Sequence, residues 1–547
     1  MRPVPKAALA ACLAVAMIMI GGAGVVTAAS LPLALRGAFA PPAVPQQPDA
    51  DPGVPAPPAP GPTALERSPD RGHDPLPDVR PPGFRKPLAD FAAYRSQRID
   101  WRACGQFRCA EVTAPLDWDV PDAEAITLAL RQRPATRTPK LGTLFINPGG
   151  PGESGTRLVE WFRATGLERY DIVGWDPRGT GGSTPVRCAS AAELDELHEV
   201  DSSPDSPAEF DELVQAWRGF GKACARNSGP LLEAVTTADT AKDLDLLREL
   251  VGDEKLNYLG YSYGTIIGQA YVELFADKVG RLVLDSVAPL QADDTGQRGI
   301  GGGATQVQGF DASIGAFADW CAGRGDCGLG ESREEVLGAV TDLLDRLDAR
   351  PIAVGDRRLT QSLATTGILA SLYQDARGWP QLALAIAGAR GGDGRALLAA
   401  ADSYNGRGPN GAYAPSQNAF YAINCVDASD AGVDQARADY EEAAKQAPTF
   451  GKYFGPSVTC PTWPVQAGIP VSQFHPEVPD FLVVGVTGDP ATPYAWSEGY
   501  AGAQPGATLI TLDGTGHTAY GRNECVNAAV VDYLVRDRVP GGGLTCR

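Results

Sequence analysis

Gly260-Tyr261-Ser262-Tyr263-Gly264 sets a serine between two glycines, a spacing that suits a sharp turn presenting a nucleophilic hydroxyl. The pattern alone is weak. With 64 glycines in 547 residues, roughly 0.3 such matches arise by chance, so the surrounding residues must decide. A serine hydroxyl needs a general base, and histidine suits that task because it titrates near neutrality. The chain has four histidines. His73 lies in a proline-rich tract, His198 in a charged helix-like run, and His475 before a proline. His517 remains, in Asp513-Gly514-Thr515-Gly516-His517, directly after an apolar run at Ala507 to Leu512. The imidazole in turn needs a carboxylate to fix its tautomer. Asp489, in Gly488-Asp489-Pro490-Ala491-Thr492-Pro493, follows the apolar run that precedes the histidine's own, and is favoured. Asp285, at the end of Arg281 to Leu284, is the rival, read as a structural turn residue.

These residues need strands to hold them. Leu141 to Asn147, Tyr170 to Trp175, Leu256 to Leu259 and Phe481 to Val486 are short, apolar and rich in β-formers, and glycine-containing turns follow them. Leu244, Leu247, Leu250 and Val251 have helical spacing, and a helix-like run at Thr265 to Phe275 follows the serine turn. Such alternation predicts an α/β fold with a mostly parallel central sheet flanked by helices. Ser262 then stands between strand and helix, where the helix N-terminus favours negative charge.

The net charge of -19 argues against nucleic acid as a partner, because the chain would repel phosphate backbones. Arg2 and Lys6 precede an uncharged stretch from Ala7 to Ala29, the pattern of an export signal. That stretch is also long enough to span a bilayer, so cleavage near Ala28 or Ala29 competes with retention as a single N-terminal membrane anchor. From Pro41 to Asp90 lie 16 of the 46 prolines, too little apolar surface to offset ordering entropy, which predicts a disordered linker. Setting Cys12 aside, ten of the eleven cysteines remain. In an exported chain they favour a disulfide framework. Their grouping suggests the local pairs Cys104 with Cys109, Cys188 with Cys224, Cys321 with Cys327, Cys425 with Cys460, and Cys525 with Cys546. A metal site is the rival use, but no Cys-x-x-Cys occurs and histidine is scarce. No metal is expected, and hydrolysis through serine requires no cofactor.

Five ordered motifs together carry a resemblance. Asn147-Pro148-Gly149-Gly150-Pro151-Gly152, Trp175-Asp176-Pro177-Arg178-Gly179, Tyr261-Ser262-Tyr263-Gly264, Cys460-Pro461-Thr462-Trp463-Pro464 and Asp489-Pro490-Ala491-Thr492-Pro493 resemble those of secreted actinobacterial tripeptidyl aminopeptidases. These are α/β-hydrolases related to prolyl aminopeptidases and carboxylesterases. The likeness runs from about Asp100 to the C-terminus. It implies an oxyanion hole made by backbone N–H groups of Tyr263 and Gly150. It also implies a helical lid inserted between the nucleophile and acid strands, where Arg333 to Leu347 and Pro380 to Ala387 already read as helices. The segment Asn424-Cys425-Val426-Asp427 is similar to the family's Glu-Cys-x-Asp stretch, with Asn424 where a glutamate is expected. Asp427 is accordingly the first candidate for binding a substrate α-amine, and Glu153, in the oxyanion loop, the second.

The expected organisation is an export segment at 1–40, a linker at 41–90, a core at 91–287 and 476–547, and a lid at 288–475. The leading functional reading is an exopeptidase that releases short peptides from free N-termini through an acyl-enzyme. A carboxylesterase would use the same triad. A reading of another class, a cell-surface binding protein on an inactive scaffold, fits poorly with a chain that keeps all three triad residues. The substrate is a peptide or an ester; the sequence does not address oligomeric state.

Overall fold

The computed structural model describes residues 76–290, 304–428, 432–466 and 478–547. The expected export segment, most of the linker, Cys12, His73 and His475 lie outside them. Ten strands form one sheet in the order β1-β2-β3-β5-β4-β6-β7-β10-β11-β12. They are β1 (Arg102–Cys104), β2 (Phe107–Pro115), β3 (Ala125–Arg133), β4 (Gly142–Asn147), β5 (Tyr170–Asp176), β6 (Leu256–Tyr261) and β7 (Val279–Asp285). After a separate hairpin of β8 (Ile352–Val354) and β9 (Arg357–Leu359), the sheet resumes with β10 (Phe481–Gly488), β11 (Ala507–Thr515) and β12 (Leu544–Cys546). Pairing is antiparallel from β1 to β5 through β3 and parallel from β5 onward.

The strands form here because their residues can be buried on both faces. Leu144 and Ile146 of β4 enter one core cluster while Phe145 between them enters the other, as the period of two requires. On β10, Leu482 and Val484 face one way and Val483 the other. The chain passes from β4 to β5 on one side and then to β6 on the other side of β4. That reversal leaves a crevice at the carboxyl ends of β4 and β6, where open α/β sheets bind ligands. The loop carrying Gly149 and Gly150 follows β4, and Ser262 follows β6.

Between β7 and β10 the chain is mainly helical, with its own apolar cluster that includes the fully buried Leu343, Ile368 and Leu397. The helices expected there extend from Arg333 to Ala349 and from Trp379 to Arg390. Two helices from between β5 and β6, Ala191–Glu199 and Pro207–Ser228, lie against this region as well. Phe210, Leu213 and Val214 pack with Ala436 and Val458, and the rings of Trp217 and Phe220 meet Tyr421 edge-on. Among the described residues no helix is long and apolar enough to cross a membrane, and no cluster of His, Cys, Asp or Glu suits a metal ion.

The Trp-Asp-Pro-Arg-Gly turn after β5 is an anchor. Arg178 is fully buried and donates Nε and Nη2 to the two oxygens of Asp243 at 2.8 and 2.6 Å. Its remaining donors reach the carbonyls of Leu116, Ala234 and Pro115. A buried charge is tolerated when every donor is matched in this way.

Ten cysteines form the five local pairs named above. Cys425–Cys460 ties the helix Ser416–Asp427 to the Cys460–Thr462 turn. Peptide mass mapping of the unreduced protein should recover five linked pairs and no free thiol from these ten residues; several free thiols or bound zinc would contradict the framework. For the spans of 36 and 35 residues closed by Cys188–Cys224 and Cys425–Cys460, loop entropy predicts a loss of about 4 kcal/mol each on removal. Each double Cys→Ser variant should therefore melt well below the intact protein.

Candidate active site

Ser262 is the first residue after β6 and precedes the helix Tyr263–Phe275. It adopts φ 53° and ψ -124°, a conformation that a side-chain-bearing residue holds only at a cost of about 1–3 kcal/mol. Close packing explains the flanking glycines. A Cβ on Gly260 would stand 2.4 Å from the carbonyl oxygen of Gly264, and one on Gly264 would stand 2.9 Å from Oδ1 of Asn147. Gly149 is equally constrained: at φ +93° its Cβ would lie 2.5 Å from the Tyr261 carbonyl and 3.0 Å from the Ser262 Cβ. The glycine-rich loop is thus pressed directly against the serine turn. The N–H of Tyr263 opens its helix and has no intrahelical acceptor. Gly150 follows Gly149 in the loop, at φ +105°, and a Cβ on it would stand 3.0 Å from the Glu153 nitrogen and 3.1 Å from that of Gly152.

Asp489 follows β10 and is buried. Its Oδ1 accepts from the N–H groups of Ala491 and Thr492, both at 3.0 Å. Its Oδ2 accepts from the hydroxyls of Ser286 at 2.8 Å and Thr492 at 3.0 Å. His517 Nδ1 lies 2.9 Å from both oxygens. Burial alone would raise this carboxyl, but His517 and the surrounding donors hold it below the ordinary carboxylate range. With Nδ1 turned to Asp489, the other ring nitrogen of His517, Nε2, is buried and has no hydrogen-bond partner.

Asp285 ends β7 and is fully buried. Its carboxylate accepts from the N–H groups of Ala519 and Tyr520 at 2.7 to 3.1 Å. Its own carbonyl accepts the Ser262 N–H at 2.9 Å. Burial pushes the Asp285 carboxyl up to about 6 against the pull of those two N–H groups. The side chain therefore fastens the loop that follows His517.

The helical region reaches the histidine. The His517 N–H donates to the Tyr373 carbonyl at 3.0 Å, and the Tyr373 ring stands edge-on to the imidazole at 5.2 Å. Arg522 donates to the carbonyls of Thr515, His517 and Thr518 and to Asp375. Ala376 N–H donates to Thr515 Oγ1 at 3.1 Å. Segment 373–376 and Arg522 together enclose the turn that bears His517.

The first turn of the helix Ser416–Asp427 packs on the glycine-rich loop after β4, since a Cβ on Gly152 would stand 2.5 Å from the Ser416 carbonyl. At the other end of that helix Asp427 is buried. Its carboxylate accepts from the Thr237 N–H at 3.1 and 3.2 Å and from the Thr237 hydroxyl at 2.5 Å. Thr237 Oγ1 also meets the Tyr263 hydroxyl. Burial pushes the Asp427 carboxyl up to about 7 although Thr237 lowers it. Glu153 is exposed to water yet crowded by protein, so desolvation lifts its carboxyl despite Arg157 nearby. Its N–H donates to the Gly149 carbonyl at 3.3 Å, but its carboxylate forms no hydrogen bond or ion pair among the described residues. Its charge is felt by Tyr404 of the helix Arg395–Tyr404, which is 41% exposed. Asn424 Nδ2 and Asn418 Oδ1, on the helix whose first turn packs on the glycine-rich loop, are buried without partners.

Residues 447–546 match the family model described as "TAP-like protein". Across most of its length the chain is 35% identical to serine protease Hip1 of Mycobacterium tuberculosis, over 486 residues covering 82% of this chain and 91% of that one. It belongs to the TAP-like α/β-hydrolases. Carboxylesterase B of Mycobacterium tuberculosis is 36% identical over 475 residues, covering 82% and 89% of the two chains. The tripeptidyl aminopeptidase of Streptomyces lividans is 32% identical over 487 residues, covering 84% and 88%. This TAP-like chain is a serine hydrolase. Sequence reasoning gave no role to Ser286, Tyr373, Arg522 or, despite its place in a quoted motif, Thr492. Their partners lie far away in the chain, and only the Asp489-to-Thr492 spacing offered a local signal.

Proposed function

We propose that this TAP-like hydrolase is an exported aminopeptidase that releases short peptides from free N-termini. Ser262 attacks the scissile carbonyl, Nε2 of His517 takes its proton and later returns it to the leaving amine, and Asp489 holds the imidazole tautomer. The oxyanion is received by the N–H groups of Tyr263 and Gly150, each typically worth about 3 kcal/mol to the transition state. Water then resolves the acyl-enzyme. The domain division at 288 and 475 belongs to the same proposal, with the helical region acting as the lid that admits substrate. Export is supported by the five disulfides.

One observation carries the choice of a free amine. Glu153, in the oxyanion loop, presents a carboxylate with no side-chain partner, within electrostatic reach of Tyr404 of the helical region, where crowding by protein raises its pKa. A cationic α-amine pairs with such a group. Asp427 is the second carboxylate of this reading, on the helix that covers the same loop. A charged contact in such a place is worth about 1.5–3 kcal/mol. Glu153→Gln should therefore lower kcat/KM for free-amine peptides about tenfold or more while sparing a small neutral ester. Because the Glu153 carboxyl sits above its ordinary value, the preference for free over N-acetylated peptides should fade as pH drops through that raised pKa. Equal cleavage of free and acetylated peptides by the intact enzyme would overturn the aminopeptidase reading. An equal loss on both substrates in Asp427→Asn would make Asp427 a support of the lid.

Ester hydrolysis is the second reading, favoured by Asn424. Its neutral amide stands where a second carboxylate was expected, and its Nδ2 is unpartnered. Faster turnover of short acyl esters than of any free-amine peptide would decide for it.

A further inference from the structure

Four residues other than glycine have positive φ among the described residues: Ser262, Ser286, Thr518 and Asp537. Three of them meet at one place. Ser262 is the proposed nucleophile, Thr518 follows the proposed base, and Ser286 joins both segments to the acid. Strain of this kind persists only where surrounding contacts over-determine it, and it concentrates at working sites. Ser286 is fully buried. Its N–H is fixed to the Val484 carbonyl of β10 at 2.8 Å, the strand that ends beside Asp489. Its hydroxyl donates to Oδ2 of Asp489 at 2.8 Å and accepts the Thr518 N–H at 3.1 Å. The preceding residue, Asp285, receives the Ser262 N–H on its carbonyl and two further N–H groups of the histidine loop on its carboxylate.

We propose that Ser286 is a positioning residue that sets the orientation of the Asp489–His517 pair. A hydroxyl is needed because one atom must both donate and accept. Its donor end holds the Asp489 carboxylate so that both oxygens face Nδ1. Its acceptor end fixes the peptide immediately after His517, and so the direction of the ring. Thr492 also donates to Oδ2 and lies 3.4 Å from Nδ1 of the ring, but the peptide N–H after His517 goes to Ser286, so Thr492 does not supply this second function. Ser286 touches neither substrate nor the reacting oxygen and acts through its two neighbours.

The inference rests on the triad assignment above, and the experiment separates the two. Ser286→Ala removes the hydroxyl and keeps the Cβ. Ser286→Gly removes both but suits the positive φ, which protects the fold if alanine is poorly tolerated. Both variants are compared with the full-length enzyme on a chromogenic peptide or acyl ester that it hydrolyses. In each, kcat should fall about ten- to a hundredfold with KM changed less than about twofold, the signature of interactions made in the transition state. The acidic limb of the kcat–pH profile should move to lower pH, because an imidazolium less firmly paired with its carboxylate is the stronger acid. Wild-type kcat in either variant, or a loss of kcat with an unmoved acidic limb, would overturn the role of Ser286. Retained turnover in Ser262→Ala would instead overturn the assignment on which it rests.

Discussion

Ser262→Ala should lower kcat by about four to six orders of magnitude while KM and melting temperature stay close to those of the parent enzyme. The hydroxyl is the only group removed. Alanine keeps the Cβ against which Gly149 packs, and the φ of 53° strains alanine no more than serine. The Ser262 backbone contacts, N–H to Asp285 and carbonyl to Thr265, are unaffected. What disappears is the covalent route, which runs through that oxygen. Residual turnover above the uncatalysed rate is expected, because the N–H donors of Tyr263 and Gly150 remain. Steady-state kinetics with a thermal melt on the same preparation makes the test, and near-parental activity would sink the nucleophile assignment.

Asp489→Asn should cost about 10⁴-fold in kcat, and the hydrogen bonds show why. The N–H groups of Ala491 and Thr492 both point at Oδ1 and cannot turn away, so an asparagine must keep its carbonyl oxygen there. Its NH2 then falls at the Oδ2 position. The hydroxyls of Ser286 and Thr492 can rotate to accept from it, but His517 Nδ1 is 2.9 Å from that NH2 as well as from the retained oxygen. A protonated Nδ1 then faces a donor, which favours the tautomer with its proton on Nε2, and no carboxylate charge remains to stabilise the imidazolium that forms when Ser262 is deprotonated. Asp285→Asn should have a smaller effect, below about tenfold, because one carbonyl oxygen can still serve the N–H groups of the histidine loop. It should lower stability more than it lowers kcat. If Asp285→Asn proved the more damaging of the two, the acid would have been assigned to the wrong strand.

The elements that carry these residues were readable from local pattern, for plain reasons. The apolar runs at 141–147, 170–175, 256–259 and 481–486 reappear as β4, β5, β6 and β10, with β4 starting one residue later and the other three extended by one or two residues where the ladder continues. Interior strands of a parallel sheet are apolar on both faces and so announce themselves. The helix after Ser262 begins at Tyr263 rather than Thr265, because the serine turn itself serves as its start. His517 could be picked out because histidines are so few. The contacts that support it were not legible. Tyr373 lies 144 positions from His517, and Ser286 lies 203 positions from Asp489; no periodicity or spacing rule links residues so distant. Asp427 shows a different limit. Its candidacy as a partner for the substrate amine came from the resemblance, but its engagement with Thr237 depends on where the helix Thr237–Val251 begins in space. The share of helices 191–199 and 207–228 in the apolar contacts around Ala436 and Val458 was equally hidden, since their amphipathic faces do not name their partners.

The order of the strands has a consequence for timing. Ser262 follows β6, whereas Asp489 and His517 follow β10 and β11, 227 and 255 positions further along the chain. A growing polypeptide can complete β4 to β7 and the serine turn while Asp489 and His517 are still unmade. The three side chains come together only once β10 has docked beside β7 and β11 beside β10.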